Sequence, residues 1–217
     1  MALSSAQVRE LDRNYYKSWP RIQDERIIAA DVSQAAVDYA VEVGLADEGV
    51  VHDLEAGAPP AVARRLSDVD MIISTGAVGY VTEKTFDTLL RAAGRTPWVI
   101  SFCLRMFDYQ PIADRLAKDG LVTEKLSSAA FVQRRFQDEE EASQVLDIVR
   151  GKGLDPTGLE AEGLLFAELF VSRPREDVDA LPLDRLVRVA SGRNLSFGPR
   201  LVQVRKGERL LATLRPG

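Results

Sequence analysis

Polar residues follow three successive apolar runs at the points where the predicted strands end. They are Asp31 after IIAA, Asp53 after VVH, and Ser74, Thr75 and Gly76 after MII. The intervals are about 20 residues, the length of one strand–helix unit. In open α/β sheets ligands bind at the carboxyl ends of the strands, so we expect these residues near one ligand.

The residue types indicate which ligand chemistry such a site would suit. An aspartate leaving a strand can accept hydrogen bonds from both hydroxyls of a ribose, and a second acid can accept from an adenine amino group. The turn STGAVGY contains glycines that let the backbone approach a ligand closely. Together they indicate a nucleoside site. The alternative for Asp31 is a local role, as a turn residue or helix cap beside Ser33.

Strands and helices must alternate to place these residues at one edge. The predicted strands are 26–30, 49–52, 71–74, 98–102, 131–136 and 164–172. The predicted helices are 5–17, 34–43, 61–66, 83–93, 112–118 and 139–150. Ser33, Thr82 and Asp138 are the predicted N-caps. This alternation predicts an α/β fold, with three Rossmann-like layers around a mostly parallel sheet.

The C-terminal part of the sequence departs from this alternation. The strands at 131–136 and 164–172 flank a single helix and suit an antiparallel edge. Further on, 185–189 and 201–204 alternate as strands, with Lys206 and Gly207 at a hairpin turn. We therefore predict an N-terminal helix and linker at 1–25, an α/β domain at 26–174, and an appendage with an antiparallel β-hairpin at 175–217.

Composition narrows the class of protein. The 217 residues are 46 % hydrophobic and 28 % charged, with a net charge of −5, so a sizeable core is expected. The absence of a basic stripe argues against nucleic acid as a partner. No apolar run reaches the roughly 20 residues of a membrane span. A single cysteine (Cys103) and a single histidine (His52) predict neither disulfides nor a metal site. We expect a reduced, soluble, cytoplasmic protein that acts on a small molecule, with a homodimer left open.

The chain from Arg26 to Pro174 resembles the later part of class I S-adenosylmethionine-dependent methyltransferases. IIAADVS is similar to that family's second strand, whose terminal acid holds the ribose, and VVHDLE resembles the third-strand exit, where an acid meets the adenine. DVDMIISTGAVGYVTEKTFDTLL resembles the fourth strand with its following helix, and WVISFCLRM resembles the fifth strand.

The resemblance implies S-adenosylmethionine as the cofactor and a set of residues that would bind it. These are Asp31 and Val32 at the ribose, Asp53 and Leu54 at the adenine, and Ser74, Thr75 and Gly76 at the methionine side. Val78 and Tyr80 would line the approach to the methyl group. Tyr80 and Arg105 are the implied catalytic residues, with Arg105 positioning the substrate.

Two further readings concern side chains near the strand exits. Arg105 ends an apolar run, where it could grip a substrate carboxylate through two hydrogen bonds. Its alternative is a surface salt bridge with Asp108 or Glu124. Tyr80 and Tyr109 are either walls of the acceptor pocket or core residues, and His52 is expected to be a bystander.

One part of the family pattern is missing. The family opens with a strand that runs into a glycine-rich loop, D-x-G-x-G, yet residues 1–25 contain no glycine and have a helical pattern. In the family's strand order, 3-2-1-4-5-7-6, the missing strand is central, and leaving its neighbours unpaired would be costly. Upstream residues of a longer chain, direct pairing of strands 2 and 4, or a partner chain could each fill the gap, and we favour the first.

These observations leave three functional hypotheses. The first is an S-adenosylmethionine-dependent methyltransferase, or a related enzyme that uses this cofactor, acting on a small molecule. The alternative is a non-catalytic, methyltransferase-like remnant or partner-binding subunit. A Rossmann-type nucleotide-binding domain would also use Asp31, but it requires the same missing glycines.

Overall fold

A computed structural model describes residues 3–20, 25–187, 189, 200–206 and 209–215, the last two ranges through their backbone alone. The chain divides into two compact units. Unit 1 is Met1–Asp53 with Ala190–Gly217, and unit 2 is Leu54–Val189. The helices are α1 (Ser5–Lys17), α2 (Gln34–Glu42), α3 (Pro60–Leu66), α4 (Glu83–Ala92), α5 (Gln110–Ala117), α6 (Glu139–Gly151), α7 (Arg175–Ala180) and α8 (Leu183–Leu186). The strands are β1 (Ile28–Asp31), β2 (Glu48–Val51), β3 (Met71–Thr75), β4 (Trp98–Leu104), β5 (Leu121–Lys125), β6 (Phe131–Arg135), β7 (Leu164–Pro174), β8 (Arg200–Lys206) and β9 (Arg209–Arg215).

Unit 1 contains a parallel strand pair joined by a helix. β1 and β2 pair in parallel, with Ala30 opposite Val50. The hydroxyl of Ser33 accepts the Ala36 amide at 3.3 Å, which confirms the predicted cap of α2. A Cβ built on Gly49 would lie 2.1 Å from Val37 Cγ1, so the helix packs on the strand where there is no side chain.

The C-terminal hairpin of unit 1 is only partly as predicted. β8 and β9 pair antiparallel from Arg200 and Arg215 to Lys206 and Arg209, as predicted. The predicted turn residue Gly207 lies outside the described residues.

The strand predicted at 185–189 is wrong, because α8 occupies its first residues. Pro182 is the N-cap residue of this helix, with φ −56° and ψ 147°.

Unit 2 is built on a five-stranded sheet in the order β3-β4-β7-β5, with β6 also paired to β7. β3 and β4 run parallel, and β7 runs antiparallel to β4, β5 and β6. Four strands therefore point the same way and one points back. This confirms the predicted α/β fold with a mostly parallel sheet.

Two strands of unit 2 differ from the sequence prediction. β7 is antiparallel as expected but lies inside the sheet rather than at its edge, because both of its sides carry strand ladders. β5 occupies the edge that we assigned to β7. The sequence LVTEK did not indicate this strand, since it is short and more than half polar.

Helices cover both faces of the unit 2 sheet. On β4, Val99 and Cys103 pack with Phe86 of α4 and Ile112 of α5. Leu104 points to the other face and packs against α6. The strict alternation of buried positions along β4 follows from the two-residue period of a strand with one fully covered face. Unit 2 thus has the predicted three layers.

The edge of β3 remains open among the described strands. In the described strand ladders β1 pairs with β2 in unit 1, and β3 pairs with β4 in unit 2. Within the described part of the chain, β3 forms a ladder with β4 alone. Ile73, in the middle of β3, is 62 % exposed, and Met71 is 45 % exposed. β3 is therefore an apolar edge strand of the unit 2 sheet among the described strands.

A carboxylate fixes the start of α4. Glu55 accepts hydrogen bonds from the Thr82 amide and hydroxyl, both at 2.7 Å, and from the Thr85 amide and hydroxyl at 3.2 and 2.6 Å. Thr82 is also the helix cap, as predicted. Desolvation raises the pKa of Glu55, but these hydrogen bonds outweigh it, so that the pKa is lowered. The 3-10 turn at Leu54–Ala56 is thereby attached to α4.

We expect Glu55→Gln to lower the free energy of unfolding by about 1–2 kcal/mol at neutral pH, because charged hydrogen bonds are lost. Since the folded-state pKa is lowered, the contribution of Glu55 is complete above the unfolded-state pKa. It disappears as the pH falls through the folded-state pKa. Urea unfolding of both proteins at neutral and acidic pH measures this. Glu83→Gln in the same helical turn is the control, and equal losses for the two variants would contradict the assignment.

Candidate functional site

The first predicted site residue, Asp31, is exposed at the end of β1. One of its carboxylate oxygens accepts the Ser33 amide at 2.8 Å, so the local turn role is present. A carboxylate has lone pairs for further donors, and this bond does not exclude a ligand. The neighbouring Val32 is 68 % exposed. Both residues are accessible, as a binding role requires.

The second pair, Asp53 and Leu54, lies beyond the end of β2. Asp53 is exposed, whereas the side chain of Leu54 is buried in the 3-10 turn. Leu54 could therefore offer a ligand only its backbone. His52 donates its backbone amide to the Asp31 carbonyl at 3.1 Å, a role that needs no imidazole.

The third group follows β3 in unit 2 and forms a tightly constrained loop. The Gly76 amide donates to the Phe102 carbonyl at 2.9 Å, which extends the pairing with β4 past the strand end. Gly76 and Gly79 have φ angles of 65° and 111°, in the left-handed region that glycine adopts readily. Tyr80 is 84 % exposed at the end of the loop. Val78 is 3 % exposed and belongs to the core, so it does not line an open approach.

Ser74 carries an unsatisfied polar atom at this exit. Its hydroxyl oxygen is buried and has no hydrogen-bond partner within the described part of the chain. Buried polar groups nearly always have partners, because an unpaired one costs about 1–3 kcal/mol. A bound ligand is one way to satisfy such a group.

The structure also brings a residue of the strand predicted at 131–136, Gln133, to this loop. β6 has a bulge, because Val132 pairs with Phe166 and Arg134 with Leu165, leaving Gln133 between them. A Cβ built on Gly76 would meet the Gln133 side-chain oxygen at 3.2 Å. The carboxamide of Gln133 therefore lies against the loop after β3. A bulge has no simple sequence signature, so the pattern FVQRR did not reveal this.

Arg105 lies in a different environment from the one we predicted. It is 8 % exposed, its guanidinium is paired with Glu160, and it also donates to the Asp155 carbonyl at 3.0 Å. Glu160 is 1 % exposed; desolvation raises its pKa, although Arg105 opposes the shift. Neither alternative for Arg105 anticipated this partner. A guanidinium held in this way has little surface with which to grip a substrate carboxylate.

Two further candidates are core residues. Tyr109 is 3 % exposed, stacks on Phe170 and donates its hydroxyl hydrogen to Ser101 Oγ at 3.0 Å. Burial raises its pKa to about 12, and burial also raises the pKa of Cys103 to about 11. Of the two readings for Tyr109, core packing is correct. Neither group is poised to ionise near neutral pH.

The described residues lack a metal-ligand cluster and a membrane-spanning helix. No group of three or more potential metal ligands comes together in the described part of the chain. In the same residues, none of the helices has the length and apolar character needed to span a bilayer.

Comparison with known proteins finds little similarity. No protein-family model matches the chain, and no curated protein matches it significantly. Among solved structures, precorrin-6y C5,15-methyltransferase from Geobacter metallireducens GS-15 is similar over 79 % of this chain and 90 % of that chain. The sequence identity is 11 % and the TM-score 0.37, which are too low to assign a function.

We expect Gly79→Ala to disturb the loop after β3 more than Gly57→Ala disturbs its own loop. Both glycines have positive φ, 111° and 102°, so the backbone strain is similar. An added Cβ on Gly79 would lie 2.3 Å from the Phe107 ring, whereas one on Gly57 would meet nothing within 4 Å. The difference in free energy of unfolding should be about 1 kcal/mol or more. Equal losses would show that the ring moves aside freely.

We expect Arg105→Met to lower the free energy of unfolding by about 3–5 kcal/mol without any ligand, because it leaves Glu160 buried and unpaired. The double variant Arg105→Met with Glu160→Leu should recover much of this loss. Arg91→Met, which breaks an exposed pair with Asp87, is the control and should cost little. Unchanged stability in Arg105→Met would instead favour the predicted substrate role.

Proposed function

We propose that this protein is an S-adenosylmethionine-dependent methyltransferase that acts on a small molecule. The observation that carries the proposal is the strand order β3-β4-β7-β5 in unit 2. It corresponds to 4-5-7-6 of the methyltransferase order, and the parallel pair β1 and β2 of unit 1 would correspond to 2 and 3. Since a fold alone does not define an activity, the side chains at the strand exits must also suit the cofactor.

The exit of β3 suits the methionine side of the cofactor. The buried Ser74 hydroxyl has no partner among the described residues, and it can donate or accept a hydrogen bond. Gly76 has a positive φ, and its amide donates to the Phe102 carbonyl, which fixes the loop beside Ser74. Thr75 is exposed beside them. The Ser74 hydroxyl on this fixed loop supports the proposed cofactor.

The exits of β1 and β2 suit an adenosine. We assign Asp31 and the backbone of Val32 to the ribose hydroxyls, and Asp53 with the Leu54 backbone to the adenine. Asp31 and Asp53 are exposed, and each carboxylate can accept more than one hydrogen bond. The bond from the Ser33 amide holds the Asp31 carboxylate in place, which reduces the entropy lost on binding.

Methyl transfer from this cofactor requires mainly that the protein position the two reactants. S-adenosylmethionine supplies an electrophilic methyl group on a sulfonium. The residues of the chain would bind and orient both reactants, which can provide much of the rate. A general base is required only if the acceptor atom carries a proton that must leave. We assign Tyr80, exposed at the loop end, to the acceptor side and leave Arg105 in a structural role.

The charge of the chain bears on which class of methyl acceptor we favour. The net charge is −5, and the sequence has no basic stripe that would hold a polyanion. A small molecule is therefore the acceptor that we favour over a nucleic acid.

The open edge of β3 supports a second candidate function, that of a methyltransferase-like subunit which binds a partner chain. An exposed apolar edge strand is a template for pairing with another chain. Ile73 and Met71, at 62 % and 45 % exposure, give β3 this character. A folded chain that binds no adenosine compound would favour this candidate.

We expect wild-type protein to bind S-adenosylhomocysteine in calorimetric titration. Asp31→Ala should weaken binding at least fivefold, because it removes charge-assisted hydrogen bonds worth more than about 1 kcal/mol. Asp31→Asn, which can keep the turn, separates loss of charge from loss of local structure. Asp38→Ala on the exposed face of α2 is the control. If Asp31→Ala binds as tightly as wild type, the assignment of the ribose is wrong.

A further inference from the structure

Gln133 is half-buried, and its side chain lies at the loop after β3. The described residues provide no hydrogen bond to its carboxamide. Its oxygen would nevertheless lie 3.2 Å from a Cβ on Gly76, which places the amide group directly over that glycine. A half-buried polar group with donors and an acceptor, and with no hydrogen-bond partner among the described residues, has the character of a ligand contact.

The bulge in β6 is the reason that Gln133 is available. Its two neighbours, Val132 and Arg134, pair with consecutive residues of β7. Gln133 therefore has no partner opposite it in the ladder. Bulges of this kind bend a strand and redirect a side chain, and they are frequent beside active sites. The bulge uses one extra residue to turn a side chain of β6 toward the exit of β3.

The next residue anchors this arrangement. Arg134 forms two hydrogen bonds with Glu141 of α6, at 2.8 and 2.6 Å. The Glu141 carboxylate also accepts the Gln137 amide at 2.7 Å. Arg134 lowers the pKa of Glu141 to about 2, so the carboxylate is charged throughout the neutral range. β6 is therefore tied to the start of α6 immediately after the bulge, which limits how far Gln133 can move.

Other polar side chains lie on the loop after β3 that Gln133 approaches. Ser74, two residues before Gly76, contributes a buried hydroxyl that has no partner among the described residues. Tyr80 follows on the same loop and is 84 % exposed. Neutral donors and acceptors of this kind suit an uncharged hydroxyl, amine or amide on a ligand.

We propose that Gln133 binds the methyl acceptor, and that its carboxamide accepts a hydrogen bond from the N–H or O–H group of the acceptor at the methyl-transfer end of the site. This inference rests on the proposed function. It narrows the substrate class to small molecules with a polar, uncharged donor beside the methylated atom. Gln133 has no part in binding the adenosine, for which Asp31 and Asp53 are assigned.

Two cofactor analogues can test this without knowledge of the acceptor. S-adenosylhomocysteine has no group at the position of the transferable methyl. Sinefungin carries a protonated amine there, which can donate a hydrogen bond to a nearby carboxamide oxygen. Calorimetric titration of both into the full 217-residue chain gives the ratio of their dissociation constants. That ratio reports on the methyl-transfer end and cancels effects on the rest of the site.

We expect Gln133→Ala to weaken sinefungin about tenfold while S-adenosylhomocysteine stays within about twofold, since one charge-assisted hydrogen bond is lost. Gln133→Glu should favour sinefungin over S-adenosylhomocysteine by a similar factor, because a carboxylate attracts the amine. Gln144→Ala, an exposed glutamine of α6 bonded to Glu140, is the matched control and should leave the ratio unchanged. Thermal unfolding checks that every variant is folded.

The outcomes separate this inference from the proposed function. If both analogues bind and Gln133→Ala changes them by the same factor, or changes neither, the role of Gln133 is wrong while the cofactor assignment stands. If neither analogue binds the folded wild-type chain, the proposed function is wrong and this inference is overturned with it. A selective change in the ratio in opposite directions for the two variants supports the proposal.

Discussion

The structure of unit 2 depends on one strand, β7, which is paired along both of its edges. Its residues 167–172 pair with β4 on one side. On the other side, 164–167 pair with β6 and 170–174 with β5. A strand in this position must be apolar on both faces, and nearly all of LLFAELFVSRP is buried or half-buried. Every other strand of the sheet except β3 takes its register directly from β7.

Buried charges fix the two ends of this strand. Near its start, the Arg105 amide donates to the Phe166 carbonyl at 3.1 Å, and the guanidinium of Arg105 is paired with Glu160. At its end, Arg173 is fully buried and donates to Glu124 of β5 at 2.7 Å. Charged groups without water are costly unless paired, so each arginine restricts the positions its partners can take. These pairs hold the strand register where the sheet ends.

The polar site at the exit of β3 follows from this framework. β6 and β5 share one edge of β7, so β6 must pair with the first part of that strand, beyond the ends of β3 and β4. The bulge then directs Gln133 toward Gly76, and the ion pair of Arg134 with Glu141 fixes β6 beside the bulge. Residues from elements that are far apart in sequence thus meet at the loop after β3.

Local sequence determined helices α1 to α6, most strands and the residues at the strand exits. The caps Ser33, Thr82 and Asp138 act through the next few amides, and a strand or helix period is a property of neighbouring residues. Asp31, Asp53 and Ser74 could therefore be placed at strand ends from the sequence. Only tertiary structure decided which strands pair, because pairing depends on residues far apart in the chain. For this reason the interior position of β7, the burial of Arg105 against Glu160, and the approach of Gln133 to Gly76 appear only in the folded protein.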